Sequence, residues 1–202
     1  KGENIMGSRR IGRKRLYALE KLGQTNDNGA GPGMIDAIVS STVARDGAQI
    51  TTEIVVDLGS SAGALNSCST DALVIGVSSS TGTHSAAYLG RITEAVNGVI
   101  TDAEVICTEA PTIGEPDINV VYENSATIAY SASAGADILI DVNTDYVKGL
   151  NIVGALNNNA AEGDYLYLTT GAAHATPGTV TKTYTAGKLV IRLYGYAQPD
   201  DL

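Results

Sequence analysis

The sequence predicts an all-β protein: an antiparallel β-sandwich or jelly-roll-like barrel, preceded by an N-terminal basic arm with a short helix. Three observations carry this. From Met34 onward, apolar and polar residues alternate at period two in short runs. Clusters of Gly, Ser, Asn and Pro separate the runs. No amphipathic helical pattern lies between them, as the crossovers of a parallel sheet would require. The core material is aliphatic, because the 202 residues include no Trp and no Phe and all ten aromatics are Tyr.

The arm is set apart by charge. Residues 1–21 carry seven basic and two acidic side chains, and the rest of the chain six basic and twenty acidic, so a +5 segment precedes a −14 body within a net −9. Leu16, Leu19 and Leu22 recur at three-residue spacing ahead of Gly23, which predicts a short helix near 13–22. Arg9, Arg10, Arg13, Lys14 and Arg15 precede or flank that stripe, a layout suited to docking on an acidic or phosphate-bearing surface. DNA is the weaker partner, since no aromatic platform or base-reading motif accompanies the charges. Asn26–Gly33 is a dense run of turn residues and reads as a linker, dividing the chain into an arm, 1–33, and a β-rich body, 34–202.

In the body, Ile35, Ala37, Val39 and Val43 share one face of a first strand. Ile50, Ile54, Val56 and Leu58 share one face of the next, with Glu53 and Asp57 opposite. Further strands are expected at Ala72–Val77, Ala86–Ile92, Val99–Cys107, Ile118–Tyr122, Thr127–Ser131, Asp137–Val142 and Leu150–Leu156. The clearest come last: Tyr165–Leu168, Val180–Tyr184 and Lys188–Tyr194, the final one with Leu189, Ile191 and Leu193 on one face and Lys188 and Arg192 on the other. Thr185-Ala-Gly-Lys188 reads as the hairpin joining the last two, and Val43–Gly47 and Glu123–Ala126 as turns. Tyr165, Tyr167, Tyr184, Tyr194 and Tyr196 lie opposite the Leu/Ile face and are expected to form a contact surface. The stretch Gly59–Gly90 holds a single charge, Asp71, and its hydroxyl-rich surface suits packing against neighbouring subunits.

Composition removes several classes. With 44% hydrophobic and 17% charged residues the chain is not of the disordered type. Two cysteines cannot staple it, and Cys107 lies in an apolar strand pattern that predicts a buried, reduced thiol. No apolar run approaches the ~20 residues of a membrane-spanning helix, and no secretory leader pattern is expected at the start.

Motifs with chemistry are sparse. Gly59-Ser-Ser-Ala-Gly63 matches G-x-S-x-G, and Ser61, Asp164 and His174 stand in hydrolase order, but the residues after it make no helix. Asp141-Val-Asn-Thr-Asp145 opens like a calcium loop, yet Tyr146 stands where the turn glycine belongs and Ile152 where the bidentate acid belongs. His84 and His174 are isolated from both cysteines. Carboxylates such as Glu104/Glu109 and Asp200-Asp201 carry no cleft signal. The expectation is therefore no catalytic residue, no metal and no cofactor.

Two stretches resemble a known group. Gly7-Ser-Arg-Arg-Ile-Gly-Arg-Lys-Arg-Leu-Tyr-Ala-Leu-Glu-Lys-Leu-Gly-Gln24, with Glu53-Ile-Val-Val-Asp-Leu-Gly59, resembles small virion proteins of tailed bacteriophages, marine ones in particular. Tyr165-Leu-Tyr-Leu-Thr-Thr-Gly171, followed by Ala186-Gly-Lys-Leu-Val-Ile-Arg-Leu-Tyr-Gly195, is similar to the same group. The resemblance implies a head decoration or cement protein, non-enzymatic, assembled in the host cytoplasm and located on the capsid of the virion. It implies β-sandwich or jelly-roll bodies in a homo-oligomer, with a trimer one such arrangement. The implied partners are the major capsid protein and further copies of the chain, with no membrane partner. Two other classes stay open at this stage: a glycan-binding module or tail/fibre component using the tyrosine face, and, remotely, a serine hydrolase at Ser61.

Overall fold

The computed structural model describes residues 29–34, 38–60, 64–68, 70–77, 86–134, 137–154, 160–171 and 182–197. Among them are nine strands and one helical turn: β1 (Val39–Asp46), β2 (Gln49–Asp57), β3 (Tyr88–Arg91), α1 (Glu94–Asn97), β4 (Val99–Thr112), β5 (Ile118–Glu123), β6 (Asp137–Ile140), β7 (Asn151–Gly154), β8 (Tyr165–Thr170) and β9 (Ala186–Tyr196). They form two antiparallel sheets, ordered β1-β2-β9-β4-β7 and β3-β8-β5-β6. The sheets face each other across one aliphatic core, so the fold is the predicted sandwich.

Alternation sets the five-stranded sheet. In β2, Ile50, Thr52, Ile54 and Val56 are buried and the intervening residues are half-buried; in β9, Leu189, Ile191 and Leu193 are buried in register with them. β4 adds Ala103, Val105 and Cys107 on the same side. Register shifts between Ile100 and Asp102 and again after Cys107 let this 14-residue strand follow β9 along its length. β1 and β2 are joined by the two-residue loop Gly47-Ala48, and the positive φ of Gly47 (61°) fits the first position of a II′ turn. The chain therefore turns at Gly47, and Val43–Asp46, expected as a turn, remain strand.

The four-stranded sheet is buried on both sides. β5 is buried at every position but its last, and β8 at every position but its first. Leu166 and Leu168 pair with Tyr122 and Val120 toward the core. On the opposite side Ser125 closes over Tyr167, and the edge of β8 beyond β3 is continued by segments that the sequence predicts as strands. Residues 72–76 run along β8 beside β3, with Ile75 N–H donating to the Leu168 carbonyl (2.8 Å) and Val74 bridging Thr169. Residues 131–134 exchange hydrogen bonds with 72–74 in turn. Ala72 (φ 58°) and Ser131 (φ 62°) sit in the left-handed region, which interrupts the extended run and leaves single bridges instead of the strands expected at Ala72–Val77 and Thr127–Ser131.

The expected hairpin at Thr185–Lys188 is absent, because Ala186 already opposes Thr112 and Lys188 already opposes Asp57. Gly187, with φ 133°, lies within β9 where Leu58 and Pro111 close in; a Cβ there would stand 3.0 Å from each. Residues 182–184 instead meet 65–67, through Tyr184 N–H to the Leu65 carbonyl and Ser67 N–H to the Lys182 carbonyl, both 2.9 Å.

Candidate functional surface

The outward side chains of the five-stranded sheet form three cross-strand rows. Glu53 (β2), Arg192 (β9) and Glu104 (β4) are directly opposite one another; Arg192 Nε donates to Glu53 Oε2 (2.9 Å) and its Nη1 to Glu104 Oε1 (3.1 Å). Two residues along β9, Val55, Val190 and Ile106 make a half-buried apolar row. Two further on, Lys188 lies between Asp57 (3.4 Å) and Glu109 (4.0 Å). Each charged row holds two carboxylates around one cation and so keeps an excess negative charge.

Tyr194 completes the first row: its hydroxyl donates to Glu104 Oε1 at 2.6 Å. That bond, with Arg192 and Asn151 Nδ2 (3.5 Å) behind it, holds the Glu104 carboxyl below the usual carboxylate range against the opposing effect of its partial burial. The same bond pushes the Tyr194 phenol up, because losing its proton would place two negative charges together. Glu104 is thus held in its ionised form at neutral pH. Val153 on β7 (60% exposed) and Tyr196 (50%) extend the surface with apolar area.

The five tyrosines expected on one contact face are divided by the fold. Tyr167 and Tyr184 are buried at 0% and 1% exposure, with their hydroxyls donating to the Ser125 carbonyl (2.5 Å) and the Glu115 carbonyl (2.7 Å). They cannot serve as contacts, because loops close over the second side of the sheet that alternation alone leaves open. Burial raises both phenol pKa values, that of Tyr167 to about 12. Tyr194 and Tyr196 stay outward on the five-stranded sheet, while Tyr165 lies on the other one. Tyr165 joins Tyr88 (ring centroids 4.9 Å) under Arg91, whose guanidinium carbon stands 5.7 Å from the ring centre.

The arm residues Arg9, Arg10, Arg13, Lys14, Arg15, Leu16, Leu19 and Leu22 lie outside the described residues, as do Ser61, His84 and His174. Where the chain reaches the body it is held: Gly31 N–H donates to the Tyr88 carbonyl (2.9 Å), Gly33 N–H to the Ala86 carbonyl (2.8 Å), and Met34 is 2% exposed. Gly31 is required at this contact, since a Cβ would come within 2.2 Å of the Ala86 carbonyl oxygen. Asp141 and Asp145 are exposed, and among the described residues no group of three or more His, Cys, Asp or Glu is placed to hold a metal. Cys68 and Cys107 are both buried and not disulfide-bonded. Between β1 and β3, Ser41, Val43, Gly90 and Arg91 border a cavity of about 10 Å³, room for about one water molecule.

No protein-family model, no curated protein and no solved structure matches the chain. The acidic rows themselves escaped sequence reading. Glu53, Glu104 and Arg192 come from β2, β4 and β9, and only the strand order makes them neighbours.

Proposed function

We propose that the chain is a structural protein of a tailed-phage particle, a head decoration or cement protein that works by binding. The observation that carries this reading is the clamped root of the basic arm. Gly31, Gly33 and Met34 are buried against the sandwich, with Gly31 and Gly33 hydrogen-bonded to Tyr88 and Ala86, so whatever grips the arm also holds the body. Arg9, Arg10, Arg13, Lys14 and Arg15 anchor on an acidic surface of the particle, and Leu16, Leu19 and Leu22 add apolar burial at about 25 cal/mol per Å². The resemblance of both chain ends to phage virion proteins points the same way.

The test is retention on purified heads of the phage that encodes the chain, measured by co-sedimentation. Reversing the charge at Arg9, Arg10, Arg13, Lys14 and Arg15 is expected to lower the retained fraction more than tenfold, and added salt to lower wild-type retention. Undiminished retention of the reversed variant would overturn the reading. The Tyr88–Tyr165 pair under Arg91 favours a second reading, glycan binding by a tail or fibre component. Specific glycan-array binding abolished by Tyr165→Ala would put it first.

A further inference from the structure

We infer that the outward face of the five-stranded sheet is the receptor for residues 9–13 of a second copy of this chain. The inference rests on reading the arm as an anchor, and it names the acidic surface the arm takes. Along β9 the face presents, at two-residue steps, an acid-excess row centred on Lys188, an apolar row centred on Val190, and an acid-excess row centred on Arg192. The arm reads Arg9-Arg-Ile-Gly-Arg13. In an extended segment Arg9, Ile11 and Arg13 fall on one side at the same two-residue step. The end-to-end span is also shared, about 13–14 Å for four residues of strand. Arg9 and Arg13 would then each reach a row that has two carboxylates for one cation, and Ile11 would lie over Val55, Val190 and Ile106.

Charge and accessibility agree with this seating. Glu53 and Glu109 keep 38% and 50% of their side-chain area exposed, so both can accept a further donor without leaving the cation they already hold. An arginine brought to such a carboxylate makes charge-assisted hydrogen bonds, which exceed neutral ones in strength. The arm is assigned to a second copy, while docking of the chain's own arm, within reach because the residues between Arg13 and Gly31 span up to about 60 Å when extended, is the alternative outcome of the experiment below. Gly31 and Gly33 hydrogen-bond to Tyr88 and Ala86, at the β3 end of the four-stranded sheet, and the receptor face is the outer side of the opposite sheet. Reciprocal exchange of arms between two copies satisfies both faces and closes the pair.

The experiment is sedimentation of the full-length protein over a range of concentration and salt. Wild type is expected to self-associate, with dissociation promoted once added salt shortens the screening length below about 10 Å. Arg9→Glu with Arg13→Glu, and separately Glu53→Gln with Asp57→Asn, are each expected to weaken association at least tenfold while circular dichroism shows the folded body unchanged. Asp57→Asn alone, which leaves the Arg192 row intact, is expected to weaken it at least threefold. Mixing the two double variants restores one arm on one intact face, so hetero-association is expected from two proteins that do not self-associate. Three results would each overturn the inference: a monomer mass at every concentration, association unchanged in both double variants, or no complementation on mixing. Head retention separates the two readings. Loss of retention in the arm variant with self-association intact sinks this inference alone. Self-association through the face with unchanged retention on heads sinks the particle reading alone.

Discussion

Replacing Tyr194 by Phe deletes one hydroxyl and nothing else from the Glu53–Arg192–Glu104 row. The lost bond is short (2.6 Å) and ends on a carboxylate that is only 13% exposed. Hydrogen bonds to charged groups contribute roughly 1.5–3 kcal/mol net. Glu104 retains Arg192 at 3.1 Å and Asn151 at 3.5 Å, so the lower end applies and the expected loss is about 1.5 kcal/mol at pH 7. With a urea slope of about 2 kcal/mol/M this moves the midpoint by roughly 0.7 M. The loss must also depend on pH. Folding holds the Glu104 carboxyl below its ordinary range, so its contribution is full above about pH 5 and fades as pH falls through the lowered folded value. Folding raises the Tyr194 phenol, so the bond's contribution is full below about pH 9 and fades as pH rises through the raised value. Urea unfolding of both proteins at pH 3 and pH 7 reads this out. A loss below about 0.3 kcal/mol at pH 7, or an equal loss at both pH values, would show that the Tyr194–Glu104 bond does not stabilise the row.

Two further outcomes are expected. Gly195→Ala places a Cβ 2.1 Å from the Asn97 carbonyl oxygen, backbone against backbone where α1 meets β9, and is expected to cost on the order of 3 kcal/mol. A melting temperature within 2 °C of wild type would contradict that, since such a cost corresponds to roughly 6–12 °C in a chain of this size. Cys68 and Cys107 are 6% and 0% exposed and burial pushes both thiols up, so at pH 8 a maleimide is expected to label them roughly a hundredfold more slowly in the native protein than in denaturant. Equal rates in the two states would show that the core near these residues opens freely.

The parts of the fold visible in sequence were those with one wet face. β2 and the end of β9 alternate cleanly because their outer side chains, Glu53, Asp57, Lys188 and Arg192, meet water. Alternation says that Tyr165 and Tyr167 oppose Leu166 and Leu168; it does not say whether that second side is solvated. In β8 it is covered, so Tyr167 became core. Ala72 and Ser131 gave no sign of their positive φ, since neither is a residue that favours the left-handed region, and two expected strands therefore resolved into bridged loops. Gly187 differs from expectation for a complementary reason. Glycine serves both tight turns and close chain approaches, and here Leu58 and Pro111 crowd it inside a strand. The charge split between arm and body was plain from composition, while the rows that organise the body's acidity needed β9 to lie between β2 and β4.

In the proposed role, the sandwich body is held to a phage head by its rooted basic arm. Imaging of the phage particle by electron cryomicroscopy tests this most directly, with the two-sheet body fitted into the map. Repeated densities of this shape are expected on the outer head surface, with a connection leaving each body at residues 31–34 and running to an acidic surface. Bodies found on the tail, or on the head with that root facing solvent and no connection leaving it, would contradict it.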